Sequence, residues 1–548
     1  MAMHVFRTKT VEQTLAETGE EGRSLKRNLT WWDLSIMGVA VAVGAGIFSV
    51  GAQAAAFHAG PAVIISFLIA GVVCGAAVMC YAEFASMIPV AGSAYTFTYT
   101  TVGEIVAWII GWDLILEMMM AGSVISKYWG VYLNDFMRLM DWQGSTVVQV
   151  GPLSVDLAPI VIVAFFTTLL VFGTKIGARV DGAMTVFKIA IVFFVVIVGF
   201  FYVKASNFTP FIPPSEPASA VSGGSLAANS LNQPLWQWAT GMAPSVYGVP
   251  GILSGAALVF FAFLGFDVVA TASEETINPK RNVPLGIGAG MALIIIMYTL
   301  VAIVTTGMVS YKDLAKRDSP SLATAFELVG ADWAAKIISF GIVLGLATVV
   351  MVLLLGLTRV VFAMSRDGLL PRGLSKTGRH GTPAVLQIAV GAVVALVAAL
   401  FDIGVLSDMV NIGTLSAFTL VAVSVPIMRR KRPDLQRSFT MPGNPWVPLL
   451  IAAANLWLML NLSVLTWVRF VVWLVIGFAV YFGYGYSAAR FARRPPPATR
   501  GSVRANSPAE PSADSPETGR PSRRTGRRGR RGRRGPASRA RRTLDAVL

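Results

Sequence analysis

The residues of this chain that could do chemistry are few, and most stand inside apolar stretches. Lys188 lies in Val186-Phe187-Lys188-Ile189-Ala190-Ile191, well past Arg179. A helix would carry it about 13 Å beyond that arginine. So long a reach works against snorkelling to the surface, and an ionisable group at membrane depth is by default a functional one. Asp113 and Glu117 stand one helical turn apart and share a face. Glu117 fits a polar path through the core and a structural hydrogen bond to another helix equally well. Asp267 and Glu83 read rather as supports, one for a helix break and one for a helix end. His4, His58 and His380 are scattered, so no metal cluster is visible and no cofactor is expected. Cys74 and Cys80 imply no disulfide framework. No G-x-S-x-G or H-E-x-x-H pattern occurs, so an enzyme is not expected.

Two glycine-bearing apolar stretches carry the other signal. One is Val43-Gly44-Ala45-Gly46-Ile47-Phe48; the other is Phe260-Phe261-Ala262-Phe263-Leu264-Gly265-Phe266-Asp267. Each alone fits close helix packing through small residues. Each also fits a broken helix, which exposes N–H groups on one side and carbonyls on the other. The N–H groups, at the positive end of a helix dipole, suit a carboxylate. The carbonyls suit an ammonium. An α-amino acid carries both groups at fixed separation.

The elements that must hold these residues are membrane helices. The chain is 55% hydrophobic and 14% charged, with mean hydropathy +0.64, where a soluble domain carries about 25% charged residues. Its apolar residues fall into blocks near the roughly 20 residues that a helix needs to cross a bilayer. Twelve spans are expected, at about 32–57, 62–88, 103–133, 157–174, 180–203, 249–272, 284–309, 332–364, 384–401, 405–428, 445–464 and 467–487. Runs of this length exclude barrel strands, and lipid leaves helices as the other solution. Span one opens a first set of five and span six a second. An odd number of spans inverts the second set, and matching breaks in two inverted halves point to a transporter binding site.

Lys and Arg placement puts both termini in the cytoplasm. Lys127, Arg138, Lys312, Lys316 and Arg317 fall on the outer side and break that pattern. Of the formal net charge of +16, residues 491–548 supply 16 Arg against 4 acidic residues. Rich in Pro, Gly and Ser, this tail is expected to be disordered and to meet anionic lipid head groups. No aromatic residue interleaves with its arginines after Phe491, so base stacking is not available and no nucleic acid is expected.

At these residues the chain resembles the APC superfamily of amino acid permeases, and within it the cationic amino acid transporter branch with its bacterial members. The resemblance rests on Gly44-Ala45-Gly46-Ile47-Phe48, Tyr81-Ala82-Glu83-Phe84, Gly111-Trp112-Asp113-Leu114-Ile115-Leu116-Glu117 and Gly265-Phe266-Asp267. Asn278-Pro279-Lys280-Arg281, Ser365-Arg366-Asp367-Gly368-Leu369-Leu370-Pro371 and Asn411-Ile412-Gly413-Thr414-Leu415 continue it. It covers about residues 24–490.

The resemblance implies an all-α polytopic membrane protein with a LeuT-type 5+5 inverted repeat plus two peripheral helices, helices 1 and 6 being discontinuous. The repeats run over about 32–203 and 249–428, and the peripheral helices over about 445–487. The transporter domain is then 29–490, between a cytoplasmic segment 1–28 and the tail 491–548. It implies that N–H groups of Gly44, Ala45 and Gly46 receive a substrate carboxylate, and that carbonyls near Phe261, Ala262 and Leu264 receive the amino group. Leu346, bulky and uncharged, tilts the expected substrate toward neutral amino acids. Lys188 matches a lysine whose ammonium takes the place of a sodium ion, which implies proton coupling. Burial disfavours a charged amine, so such a group is able to gain and lose a proton. The expected function is proton-coupled amino acid import across the plasma membrane. An exchanger, a polyamine carrier and a non-transporting receptor are the alternatives, and a small membrane-protein partner is left open.

Overall fold

The computed structural model describes residues 29–87, 94–95, 98–99, 102–142, 146–150, 153–172, 174–218, 230–265, 269, 276–317, 320–376, 382–431, 433, 437 and 439–486. The chain divides into a unit over Met1–Arg494 and another over Pro495–Leu548, and every described residue lies in the first.

Helices account for nearly all of the described structure. Those used below are α1 (Trp31–Ala42), α2 (Val63–Met87), α3 (Glu104–Leu139), α4 (Leu157–Phe172), α5 (Thr174–Phe200) and α6 (Gly248–Val259). They continue as α7 (Pro279–Met308), α8 (Asp332–Arg366), α9 (Ala384–Leu400), α10 (Ile403–Lys431), α11 (Trp446–Leu460) and α12 (Val464–Val480). Among the described residues six stretches are long and apolar enough to cross a membrane: Gly46–Phe84, Glu104–Leu139, Arg281–Met308, Asp332–Arg366, Ile403–Lys431 and Val464–Gly485. Six shorter apolar helices of 10–17 residues, among them α1, α4, α6 and α9, stand beside them. The expected twelve spans therefore do not appear as twelve membrane-length helices. The first is cut after Ala42, and its second part runs through the Gly60-Pro61 turn into α2. In the sixth, the helix gives way to a 3-10 turn over Phe260–Phe263, and most of the expected continuation to residue 272 lies outside the described residues.

The helix ends have local causes. Thr30 caps α1: its hydroxyl accepts from Asp33 N, and the Asp33 carboxylate accepts from Thr30 N at 2.8 Å, a capping box. In α5 the two faces separate sharply. Val186 is 70% exposed and Ile197 59%, while Lys188 is 1% exposed. The apolar face suits lipid, and the lysine faces protein. At the centre α3 packs between α8 and α10, and α7 packs against α1 and α2. Trp108, Trp112 and Trp473 stack to fasten α12 to α3, and Trp112 Nε1 donates to Trp473 O at 2.9 Å.

Several cations that break the charge pattern are held. Arg138 pairs with Glu327 at 2.7 Å, Lys316 with Asp313 at 2.7 Å, and Lys127 Nζ donates to Phe401 O at 2.6 Å. A small hairpin, β1 (Val147–Val150) with β2 (Leu153–Asp156), lies in the connection after α3 and pairs Val147 with Asp156.

Candidate functional site

Two interrupted helices meet at one point. After Ala42 the backbone leaves the helix at Val43 (φ −71°, ψ 89°) and resumes at Gly46 as a π-helical turn, Gly46–Val50. After Val259 a 3-10 turn over Phe260–Phe263 ends in extended Leu264, and Gly265 follows with φ +81°. That conformation favours glycine. A Cβ on Gly265 would also fall 2.3 Å from Val41 Cγ1. A Cβ on Gly46 would fall 2.2 Å from Ala262 Cα. Each glycine is thus the surface that admits the other broken helix. Gly44 differs: a Cβ there would meet Val349 at an ordinary 3.8 Å.

Around this crossing lies a cavity of about 20 Å³, room for about one water molecule. It is lined by Gly44, Ala45 and Gly46, by Phe261, Leu264 and Gly265, and by Ala121 and Ile125 of α3. Val349 and Leu353 of α8 complete the wall opposite Val41 and Ala42. Among the described residues no ionisable side chain lines it.

Val39 O accepts the last helical bond of α1, from Val43 N at 2.9 Å. Two carbonyls of the last turn are met from outside the helix. Ala40 O accepts from Lys188 Nζ at 2.8 Å. Ala42 O accepts from the Tyr298 hydroxyl at 2.6 Å, and the same hydroxyl stands 2.8 Å from Ala262 O. The stem of Lys188 crosses α8 where Gly345 leaves space; a Cβ there would lie 2.7 Å from Lys188 Cγ. The ammonium thus faces the negative end of the α1 dipole.

The expected site residues divide accordingly. Gly44, Ala45, Gly46, Phe261 and Leu264 line the cavity, while Ala262 packs against Gly46 outside the lining. Leu346 is fully buried, but the cavity wall on α8 is made by Val349 and Leu353, one and two turns further on. Lys188 reaches the α1 end and not the cavity. Glu117, 3% exposed, stands beside Gly413 of α10. One turn earlier on α3, Asp113 accepts from Ser416 Oγ at 2.6 Å. Asp113 and Glu117 therefore belong to the α10 side of α3, while Ala121 and Ile125 reach the cavity. Glu83 is remote, at the end of α2. It accepts from Arg429 Nε at 2.8 Å and Nη2 at 2.6 Å, and from Met441 N at 2.8 Å. Asp267 lies outside the described residues. Among the described residues no group of three or more His, Cys, Asp or Glu is placed to hold a metal.

Sequence reasoning missed Tyr298, Val349, Leu353, Ala121 and Ile125. One signal for Tyr298 was available, since a tyrosine deep in an apolar helix must find a partner for its hydroxyl. The four lining residues carried none, because small and branched apolar residues fill every membrane helix.

Comparison with known proteins gives a consistent result. Residues 29–491 match a family profile described as amino acid permease. The branched-chain amino acid permease BcaP of Bacillus subtilis is 41% identical over 488 residues, covering 88% of this chain and 97% of that protein. The methylthioribose transporter of the same organism is 37% identical with the same coverage. The vacuolar cationic amino acid transporter 2 of Arabidopsis thaliana is 36% identical over 76% of this chain and 62% of its own length. The likeness therefore extends across these groups and is not specific to the cationic branch.

Proposed function

Because the chain belongs to the amino acid permease family, we propose that it is a secondary active transporter importing amino acids across the plasma membrane by alternating access, through proton symport. The observation that carries the reading is the meeting of two broken helices around one cavity, lined by Gly44, Ala45 and Gly46 of the first and by Phe261 and Leu264 of the second. N–H groups of Gly44, Ala45 and Gly46 receive the substrate carboxylate. Carbonyls at Phe261, Ala262 and Leu264 receive its amino group. The side chain then lies against Ala121, Ile125, Val349 and Leu353, with Leu346 one turn before Val349. The uncharged lining supports a neutral apolar side chain over a cationic one, in keeping with the relative named as a branched-chain permease. A cavity of about 20 Å³ is too small for such a molecule, so loading requires the helices around the crossing to part.

The matching fold is a LeuT-type 5+5 inverted repeat over α1–α10, with α11 and α12 peripheral. Breaks in α1 and α6, the first helices of the two sets, support it. The transporter domain spans 29–490, with both termini cytoplasmic and the Arg-rich tail 491–548 against anionic head groups.

Lys188 supplies the coupling. With its ammonium charged it satisfies Ala40 O and opposes the dipole of α1, an attraction worth up to about 2 kcal/mol in a partly buried setting. When the proton leaves, that attraction goes and α1 is freer to move away from α5 and α8. Uptake of a labelled amino acid panel in proteoliposomes, with and without a proton gradient and without sodium, tests the reading. Uptake of none of the panel would refute transport of amino acids. Uptake indifferent to the gradient but dependent on internal amino acid would make the protein an exchanger.

A further inference from the structure

The hydroxyl of Tyr298 touches both helix breaks at once. It stands on α7, fully buried, 2.6 Å from Ala42 O at the end of α1 and 2.8 Å from Ala262 O in the 3-10 turn after α6. Its ring is fixed by Phe263 at 5.2 Å and Phe67 at 5.9 Å between centroids, both at steep angles. The two carbonyls lie some 220 residues apart in sequence and belong to the two segments whose glycines admit each other. A phenol has one proton, so the two carbonyls share a single donor. A buried carbonyl without a donor is costly. The pair is therefore satisfied, in part, only while the end of α1 and the turn after α6 are held together on this one side chain.

We infer that Tyr298 is the positioning residue that ties the two helix breaks to each other and so holds the closed arrangement around the cavity. The inference rests on the transport reading above and adds to it a part on α7, a helix that contributes no residue to the cavity lining. Lys188 holds α1 to α5; Tyr298 holds α1 to the turn of α6. When α1 swings away, the hydroxyl loses Ala42 O and gives its proton to Ala262 O alone. The tie therefore favours closed, substrate-retaining states over the state in which α1 has moved.

Y298F removes the hydroxyl and keeps the ring between Phe67 and Phe263. Initial rates of uptake, normalised to transporter in the membrane, should show the KM for substrate raised roughly two- to threefold, the low end of the range for one hydrogen bond, because the hydroxyl keeps Ala262 O when α1 moves and only its share to Ala42 O is lost. Vmax should stay within about twofold, since parting of the helices is not impeded. A side chain that served only packing or folding would lower the amount of transporter and Vmax and leave KM where it was. An unchanged KM, whatever Vmax does, overturns the inference. Should Y298F not accumulate, Y298L also lacks the hydroxyl and carries the same criterion. Failure of the wild-type protein to take up any amino acid refutes the transport reading instead, so the two failures are distinct.

Discussion

Gly44 and Gly46 stand two residues apart in one motif, and the structure predicts opposite outcomes for an alanine at each. In Gly46→Ala the new Cβ would fall 2.2 Å from Ala262 Cα and 2.6 Å from its Cβ. Ordinary contact begins near 3.4 Å, so the two segments must separate by more than 1 Å at their closest point. The obstacle is main chain, and no rotamer change relieves it. Overpacking of this kind costs about 1–3 kcal/mol, partly offset by up to about 1 kcal/mol of helix propensity that alanine gains over glycine. A net cost of 1–2 kcal/mol reduces the closed arrangement by roughly five- to thirtyfold. In Gly44→Ala the nearest atom is Val349 Cγ2 at 3.8 Å, and the methyl projects toward the cavity wall. Initial-rate uptake in cells, normalised to surface protein, separates the cases. Gly46→Ala should lose most of its Vmax. Gly44→Ala should keep Vmax and change KM by a few-fold. Vmax in Gly46→Ala within twofold of wild type would refute the steric argument, as would equal losses in both variants.

Further outcomes follow from the same geometry. Lys188→Ala should abolish accumulation driven by a pH gradient while leaving some substrate binding, measured as label retained by the purified protein; normal gradient-driven uptake would end the coupling role. Val349→Ala and Leu353→Ala enlarge the wall facing the substrate side chain and should shift competition toward bulkier neutral amino acids by about 1–3 kcal/mol per pocket change; an unchanged competition profile counts against that wall. Arg429→Met leaves the 1% exposed Glu83 carboxylate without its bidentate partner. Breaking such a buried pair costs about 3–5 kcal/mol, so the thermal unfolding midpoint in detergent should fall. A midpoint equal to wild type would show that Arg437, 3.8 Å away, suffices.

Much was legible from the chain alone. Hydropathy and block length gave membrane helices, because lipid leaves the backbone few other solutions. The paired glycine motifs at Gly44–Gly46 and Gly265 located both interruptions, because glycine in an apolar helix weakens it wherever it stands. Lys188 stood out because few charges occur in such stretches. Lys127, Arg138, Lys312, Lys316 and Arg317 broke the charge pattern in the sequence, and of these Arg138 and Lys316 pair with Glu327 and Asp313.

What the sequence could not assign was which atoms meet. Val349 and Leu353 read like any other valine and leucine of α8, and Leu346 read as well as either. Only the rotation of α8 against the crossing of α1 and α6 decides that the first two face the cavity. Asp113 and Glu117 share a helical face by spacing, but only the placement of α10 shows that the face is turned toward Ser416 and Gly413. The chain thus determined by itself that two helices break and that a buried lysine is present, since these follow from local composition and the bilayer. Tertiary structure decided that the breaks touch, that Lys188 closes one end of α1 through Ala40 O, and that Tyr298 joins Ala42 O to Ala262 O. Those contacts join residues up to 256 positions apart, and no local pattern encodes a distance between segments that only packing brings together.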